Sequence, residues 1–182
     1  SDYPKLVYRG DDKPIDDVFF EGFKPWGKGE DIYEHALNNS SPPSMYVCTS
    51  TSCEVAANYG THIMGNGHAY IIRRPENGID VNEVLGARSP YPTDKEIAVP
   101  GNIPGSEVLG AIPVDKDGNL ANYSIPNPHR VRGGGDIAKA TEQLKTCSFR
   151  GDMEVKTEQG YKPIQSIKVG DKVYAKNELT GQ

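Results

Sequence analysis

Apolar and polar residues alternate in short stretches along the first two thirds of the chain, with Pro, Gly and Asn between the stretches. Short alternating runs rich in Val, Ile and Tyr are typical of β-strands. The pattern predicts strands at residues 5–9, 44–49, 69–73, 96–99 and 108–113. Because long helical stretches are few, we expect an α+β fold with modest helix content.

Three short helices are predicted between these strands, at residues 15–22, 32–38 and 52–59. Pro14 stands at the start of the first helix and Gly22 at its end, which is the asymmetry expected of helix termini. Ser50, Thr51 and Ser52 are candidate N-caps of the third helix, because their hydroxyls can accept hydrogen bonds from free backbone N–H groups.

A glycine-rich break at residues 132–136 divides the chain, and from residue 147 the pattern changes to short alternating strands at 153–156, 164–167 and 172–175. We therefore predict a domain at 1–132, a linker at 133–146 and an all-β fragment at 147–182. The fragment is too short to bury a core alone. The acidic segment 115–119 is predicted to be a hairpin turn, because no glutamate follows at the spacing of a calcium loop.

Composition narrows the functional classes. The 182-residue chain has a formal net charge of −5 and an isoelectric point near 5.4, which argues against a dedicated nucleic-acid binder. No apolar run is long enough to cross a bilayer and no leader opens the sequence, so we expect a soluble protein without membrane contact, from which a leader could have been removed.

The three cysteines, Cys48, Cys53 and Cys147, are too few for a disulfide framework, and none lies in a C-x-x-C metal pair. A bridge between Cys48 and Cys53 stays open. If both lie on one continuous strand, their Cα atoms would be more than about 7 Å apart, which favours free thiols.

Arg9, the hydroxyls of Thr49 and Ser50, and Glu96 are the candidate chemical groups. Cleavage of a nicotinamide–ribose bond builds positive charge on the sugar, and such a site needs a fixed carboxylate, a cation for the pyrophosphate and hydrogen-bonding groups that hold the carboxylate. Each residue also has an ordinary alternative: a surface ion pair for Arg9, strand hydroxyls for Thr49 and Ser50, and a solvated carboxylate for Glu96. Spacing alone does not decide between them.

Longer segments carry a family resemblance that spans roughly residues 5–115 in the correct order. The chain resembles the Arg/Ser-Thr-Ser/Glu class of mono-ADP-ribosyltransferase toxins. Residues 7–14, 17–19 and 22–27 resemble the opening of the pertussis toxin catalytic subunit, and residues 77–87 and 89–92 resemble the cholera and heat-labile enterotoxin A chains. The resemblance implies a fold of two small β-sheets around an NAD cleft, with flanking helices.

The resemblance also implies roles for single residues. Arg9 would bind an NAD phosphate and brace the site, and Glu96 would hydrogen-bond the ribose 2′-hydroxyl and support the cationic transition state. His35 would polarise or position a group in the cleft, with a satisfied, partly buried histidine as the alternative. Tyr8 and Trp26 are expected among the NAD-binding residues, and simple core packing is the alternative for Trp26.

The middle motif departs from the family pattern, because Cys48 stands where Ser-Thr-Ser begins. Two registers are open: Cys48-Thr49-Ser50, which is favoured because its flanks match better, or Ser50-Thr51-Ser52. Cys48, Thr49 and Ser50 are therefore expected in the NAD site. A thiol is a weak hydrogen-bonding group, so Cys48 is a poor substitute for a hydroxyl that orients Glu96.

Asp94 is the second departure. Arginine-modifying members of the class carry Glu two residues before the catalytic Glu, and other members carry Gln. A carboxylate at this position can align an incoming guanidinium, so Asp94 is expected to act beside Glu96 and favours an arginine acceptor.

The chain from Cys147 onward resembles the start of a Hint domain, the self-processing module of inteins and hedgehog proteins. The resemblance implies that Cys147 attacks the carbonyl before it, so that cleavage between Thr146 and Cys147 would release residues 1–146. The family also needs a later histidine, and none follows His129. We therefore expect this form to be idle in self-cleavage and a longer natural protein to continue past Gln182.

The sequence therefore predicts a secreted or delivered toxin domain that acts in the cytosol of its target cell. It would transfer ADP-ribose from NAD, its co-substrate, to a side chain of a target protein in a host or competitor cell, without a metal. A cognate immunity protein is expected if the toxin is inter-bacterial. The alternatives are a NAD glycohydrolase, a degenerate fold kept for binding, and ADP-ribosylation of a nucleic acid, which suits the acidic charge less well.

Overall fold

A seven-stranded antiparallel sheet organises the molecule. The computed structural model describes residues 5–38, 43–60 and 67–131, and the backbone of 154–157 and 160–163. The sheet has the order β4-β5-β2-β1-β3-β6-β7. Its strands are β1 (Leu6–Asp11), β2 (Tyr46–Ser50), β3 (Gly67–Arg73), β4 (Ile79–Asp80), β5 (Glu96–Pro100), β6 (Val108–Val114) and β7 (Ile125–Pro126).

Two unequal halves of this sheet meet at one residue pair. Strand β1 pairs with β3 through six residue pairs, and β2 pairs with β5 through five. Between the halves, β1 and β2 share the single pair Tyr8↔Ser50. We call β1-β3-β6-β7 the core wing and β4-β5-β2 the site wing. The expectation of two separate small sheets is corrected here, because the two wings are hydrogen-bonded into one sheet at this pair.

Among the described residues, four α-helices flank the sheet: α1 (Ile15–Glu21), α2 (Ile32–Leu37), α3 (Cys53–Gly60) and α4 (Val81–Leu85). Three single-turn 3₁₀ helices lie at Gly86–Arg88, Pro92–Asp94 and Gly105–Glu107. Side-chain oxygens cap three of the α-helices by accepting backbone N–H groups, since Asp31 caps α2, Ser52 caps α3 and Asp80 caps α4.

The five predicted strands and three predicted helices are confirmed within two residues at each end. Helix α1 ends at Gly22, whose φ of 76° is the left-handed conformation that glycine adopts easily. The turn at 115–119 is also confirmed, because the N–H of Gly118 donates to the carbonyl of Asp115 at 3.0 Å. The pattern did not predict β4, α4 or β7.

Apolar side chains fill both faces of the sheet. Because successive residues of a strand point to opposite faces, Val7 and Tyr8 enter different clusters. The first cluster joins both wings and contains Val7, Val18, Phe19, Phe23, Val47, Tyr70, Ile72, Ile97, Val99, Ile103, Val108 and Ala111. The second lies under α3 and contains Tyr8, Cys53, Ala56, Ala69, Ile71, Leu109, Ile112 and Val114.

Asn127 fastens the chain that follows β7 to the core. Its side chain is fully buried, and its amide nitrogen donates to the carbonyls of Phe19, Gly105 and Val108 at 3.2, 2.8 and 2.8 Å. These bonds join α1 to the start of β6. A buried amide with three acceptors is a strong local constraint.

The last described segments are β8 (Glu154–Thr157) and β9 (Gly160–Pro163), which pair antiparallel with each other. The strand predicted at 153–156 overlaps β8. The predicted linker 133–146, Cys147 and the strands at 164–167 and 172–175 lie outside the described residues, so the domain division stays a prediction. Within the described parts of the chain, no helix is long and apolar enough to cross a membrane.

Candidate active site

The carboxylate of Glu96 is the centre of a buried polar cluster in the site wing. Glu96 is the first residue of β5 and is only 3% exposed. Its Oε2 lies 2.7 Å from Nε2 of His35. A carboxylate loses hydration when it is buried, and an imidazole at hydrogen-bonding distance offsets that loss. Sequence places these two residues 61 positions apart, and the packing of α2 on the site wing brings them together.

His35 is held from both sides. Its Nδ1 lies 2.6 Å from the hydroxyl of Ser44, and its ring meets the ring of Tyr46 edge-on at a centroid distance of 5.1 Å. The side chain is 1% exposed. His35 is therefore a buried histidine with hydrogen-bond partners on both ring nitrogens. The sequence left open a packing role or a contact in the cleft, and the contact with Glu96 shows that His35 has both features. Ser44 was not foreseen as a site residue, because it was predicted only as the first residue of a strand and its contact with His35 depends on tertiary packing.

Cys48 faces the same cluster. Its Sγ lies 3.2 Å from Nε2 of His35, and the donor atoms of His35, Cys48 and Glu96 all lie within 4.8 Å of one another. In the other register, Thr51 is exposed and Ser52 caps α3. The segment that lies against Glu96 is therefore Cys48-Thr49-Ser50.

The two hydroxyls of this segment hold backbone groups of the opposite chain. Thr49 Oγ1 donates to the carbonyl of Ile97 at 2.7 Å, and Ser50 Oγ donates to the carbonyl of Asp94 at 2.6 Å. Both acceptors flank Glu96 in sequence. Thr49 and Ser50 thus fix the backbone on which Glu96 stands, and the pairing Ser50↔Glu96 aligns the two strands.

Lys95 separates Asp94 from Glu96 in an unusual backbone conformation. Its φ of 48° is left-handed, and among the described residues it is the one non-glycine with a positive φ. Such a conformation costs of order 1 kcal/mol for a residue with a Cβ. The kink ends the 3₁₀ helix Pro92–Asp94 and starts β5. Asp94 is 5% exposed, so an acceptor that contacts it has to enter the site.

Arg9 ties the core wing to the site wing. Its Nη1 donates to the backbone carbonyl of Cys48 at 2.9 Å, and its Nη2 lies 3.4 Å from Oδ2 of Asp11. The guanidinium also lies over the ring of Phe23, 5.1 Å from the centroid. Arg9 is 5% exposed and is not a surface ion-pair residue. Asp11 was missed, although its position two residues along the same strand face as Arg9 was a usable signal.

The two aromatic candidates have different environments. The Tyr8 side chain packs in the cluster under α3, and burial, followed by the negative charge of Glu54, raises the pKa of its hydroxyl to about 12. The structure thus gives Tyr8 a packing role, and NAD binding by its side chain stays a prediction. Trp26 does not pack in the core, because its side chain is 50% exposed. Its neighbour Gly27 donates to the carbonyl of Ser44 at 3.0 Å, which fastens this segment beside the His35 partner.

The cysteines differ from the expectation of free thiols. Cys48 is a buried thiol outside any disulfide, whereas Cys53 is disulfide-bonded. A bridge between Cys48 and Cys53 is therefore excluded, and the expectation is wrong for Cys53. Cys53 lies at the start of α3. The distance argument considered only a bridge to Cys48, so it could not exclude a bridge from Cys53 to another cysteine.

A family model described as Scabin-like matches residues 7–129. The chain belongs to the Scabin-like family. Scabin toxin from Streptomyces scabies, in a structure in complex with NADH, is 33% identical with a TM-score of 0.60, over 71% of this chain and 77% of that one. A structure of a guanine-specific ADP-ribosyltransferase gives 29% identity and a TM-score of 0.61, over 71% and 79%. The predicted ADP-ribosyltransferase fold is confirmed.

Curated relatives also confirm the resemblance to the toxins. The A chain of cholera enterotoxin from Vibrio cholerae is 32% identical over 57% of this chain and 47% of its own length. A pertussis toxin subunit 1 homolog of Bordetella parapertussis is 31% identical over 72% and 53%. A guanine-specific ADP-ribosyl transferase of Streptomyces coelicolor is 34% identical over 68% and 59%. The chain thus spans about half the length of the curated relatives it matches.

Proposed function

We propose that this chain is an NAD-dependent mono-ADP-ribosyltransferase of a toxin. The observation that carries the proposal is the buried Glu96 carboxylate, 2.7 Å from His35, in a chain of the Scabin-like family. A structure of Scabin holds NADH, which supports NAD as the substrate here. The other polar residues of the site surround the same carboxylate.

The proposed reaction breaks the bond between C1′ of the nicotinamide ribose and the nicotinamide nitrogen. The electron pair leaves with nicotinamide, and positive charge develops on the ribose. Glu96 accepts a hydrogen bond from a ribose hydroxyl and opposes that charge, while His35 holds the carboxylate in place. The acceptor nucleophile then forms a bond to C1′ and loses a proton.

Arg9 has two proposed tasks. Its guanidinium supplies positive charge for the pyrophosphate, and its Nη1 bond to the Cys48 carbonyl keeps β1 against β2 where the wings meet. Phe23 under the guanidinium limits its movement. A side chain already fixed before NAD binds loses little conformational freedom on binding.

The acceptor is proposed to carry a guanidine group. Asp94 favours an arginine side chain as the acceptor, because a carboxylate can accept two parallel hydrogen bonds from the N–H groups of a guanidinium. Guanine has the same arrangement on its Watson–Crick edge, and two relatives are named as guanine-specific. The acidic net charge argues less strongly against a nucleic acid than the sequence suggested, because one base entering a local site does not require a basic surface.

Labelled NAD tests the proposal and separates the acceptors. The purified protein is incubated with guanosine, with single- and double-stranded DNA, with an arginine-containing peptide, and with buffer alone. Covalent label on a guanine base or an arginine supports transfer. Nicotinamide release at the same rate in every arm would instead show a NAD glycohydrolase, and absence of both release and label would contradict the proposal. Asp94→Asn, compared with Asp12→Asn at a half-buried position just after β1, tests the acceptor role of the carboxylate.

Two further parts of the interpretation stay proposals. Cleavage before Cys147 by a Hint module would release residues 1–146, and delivery into a target cell would bring the enzyme to its substrate. The names of the relatives support a toxin. A cognate immunity protein is expected if that target is another bacterium.

A further inference from the structure

We propose that His35, Cys48 and Glu96 form a binding site for a thiophilic divalent cation, with Zn²⁺ as the first candidate. The three residues come from α2, β2 and β5, and each offers one donor atom to the same small volume. Metal binding rests on this geometry alone. Its effect on catalysis also rests on the proposed function.

The donor distances are close to those of a zinc site. With zinc–ligand bonds of about 2.0–2.3 Å, neighbouring donors in a tetrahedral site lie about 3.3–3.6 Å apart. Cys48 Sγ and His35 Nε2 are 3.2 Å apart, and His35 Nε2 and Glu96 Oε2 are 2.7 Å apart. Small side-chain rotations that widen the second distance would place all three donors around one ion.

The ligand types suit zinc better than calcium or magnesium. Thiolate and imidazole are soft or borderline donors, and a single carboxylate completes a set of three protein ligands that leaves a fourth position for water. The other ring nitrogen of His35 lies 2.6 Å from Ser44 Oγ. A partner on that nitrogen is the usual way in which a ligating histidine is oriented.

Cys48 is the residue on which the proposed zinc binding depends most. A serine hydroxyl at this position would be a much weaker zinc ligand than the thiolate of Cys48. Cys48 thus supplies a soft ligand beside the imidazole of His35 and the carboxylate of Glu96.

Zinc in this site would compete with catalysis. The metal would bind Oε2 of Glu96 and Nε2 of His35 and displace the proton between them. Glu96 could then no longer accept a hydrogen bond from the ribose. Micromolar zinc would keep the enzyme idle, and a chelator would restore it. Glu96 is thus proposed to have two mutually exclusive partners, the ribose and the ion.

Cobalt spectroscopy tests binding without reference to activity. Addition of Co²⁺ to the full chain, without reductant, should give one equivalent of bound ion and an intense near-ultraviolet thiolate-to-cobalt band that Zn²⁺ removes. Cys48→Ser should lose the band and weaken zinc binding by at least about 100-fold, whereas His129→Ala, an exposed histidine outside the cluster, should match the wild type. Absence of the band from the wild type, or its persistence in Cys48→Ser, would overturn the site.

An activity measurement then tests the consequence separately. If the proposed function holds, zinc should lower ADP-ribose transfer by the wild type at least about tenfold relative to its own zinc-free rate, with recovery on adding EDTA. The same zinc concentration should lower the rate of Cys48→Ser much less relative to that variant's own zinc-free rate, whatever that rate is. Equal inhibition of both proteins would contradict competition at Cys48. A cobalt band together with absence of transferase activity would retain the metal site and reject the proposed function.

Discussion

The two wings of the sheet are built from different kinds of residues. The core wing pairs β1 with β3 over six positions and fills its faces with aliphatic and aromatic side chains. The site wing buries Cys48, Thr49, Ser50 and Glu96 in adjacent strands. Buried polar groups lower stability unless they are paired. We therefore infer that the core wing supplies most of the stability and that the site wing, together with Arg9 of β1, supplies the chemistry.

The junction between the wings shows how the polar half is held. The strand pair Tyr8↔Ser50 and the hydrogen bond from the Arg9 side chain to the Cys48 carbonyl join them beside the cluster. The apolar cluster that contains Val7 and Ile97 underlies both wings. The site wing therefore gains its rigidity from contacts with the core wing and from its own hydroxyl-to-carbonyl bonds.

Removing the side chain that joins the wings should have the largest effect. Arg9→Ala should lower ADP-ribose transfer by about 10³-fold, because it removes both the proposed phosphate contact and the bond to Cys48. Arg9→Lys should also fall by about 100-fold, since a lysine cannot reproduce the planar fork. Rates of label transfer under saturating acceptor measure the loss.

Arg74→Lys, a half-buried arginine just after β3, is the control and should keep the wild-type rate. Transfer by Arg9→Lys at the wild-type rate would show that only charge is needed at this junction.

Removing a buried hydrogen-bonding side chain from the core wing should lower stability and leave the transfer rate nearly unchanged. Asn127→Ala should lower the free energy of unfolding by about 2–3 kcal/mol, because three buried carbonyls lose their donor. Urea denaturation measures this change, and the transfer rate per folded molecule should stay within about twofold. Asn119→Ala, in the exposed turn, should change stability by less than about 0.5 kcal/mol. A large loss of rate in folded Asn127→Ala would mean that the two wings are not separable.

Ser50→Ala should lower the transfer rate more than it lowers stability, unlike Asn127→Ala, and its effect on the rate should be smaller than that of Arg9→Ala. It removes the 2.6 Å bond to the Asp94 carbonyl, so the backbone before Glu96 loses a fixed contact. We expect about a tenfold lower transfer rate and about 1 kcal/mol lower stability. Ser106→Ala, outside the cluster, is the matched control. An unchanged rate in Ser50→Ala would show that β2–β5 pairing alone positions Glu96.

The smallest predicted effect is a change in pH dependence within the core wing. Burial lowers the pKa of His68 below its usual 6.5, and its buried Nδ1 has no hydrogen-bond partner among the described residues. Between that lowered pKa and 6.5 the unfolded chain binds a proton that the folded chain does not, so stability falls as the pH falls through this range. His68→Asn should flatten this part of the stability–pH curve, measured by thermal unfolding. An unchanged curve would contradict the assignment to His68.

Much of the fold could be predicted from the sequence because its strands alternate regularly and its helices carry recognisable end signals. Strand β4 and β7 have two residues each, and helix α4 has five, which is too short for any periodicity. The cap of α4 was nevertheless visible, since Asp80 precedes Glu83 by three positions. The single pair that joins β1 to β2 depends on tertiary packing and has no sequence signal.

The site was less predictable than the fold. Resemblance, rather than residue pattern, singled out Arg9, His35 and Glu96, because α2, β2 and β5 meet only in the folded chain. The contact between His35 and Ser44 and the left-handed Lys95 needed the structure. The expectation for Cys53 failed because the distance argument considered only a bridge to Cys48, whereas Cys53 is bonded to a different cysteine.

A crystal structure of Glu96→Gln with NAD tests the central claim most directly, because the substitution should leave NAD intact while keeping the shape of the site. We expect the nicotinamide ribose beside residue 96, His35 and Cys48, with the pyrophosphate at hydrogen-bonding distance from Arg9. NAD bound away from these residues, or consumption of NAD by Glu96→Gln at the wild-type rate, would contradict the account.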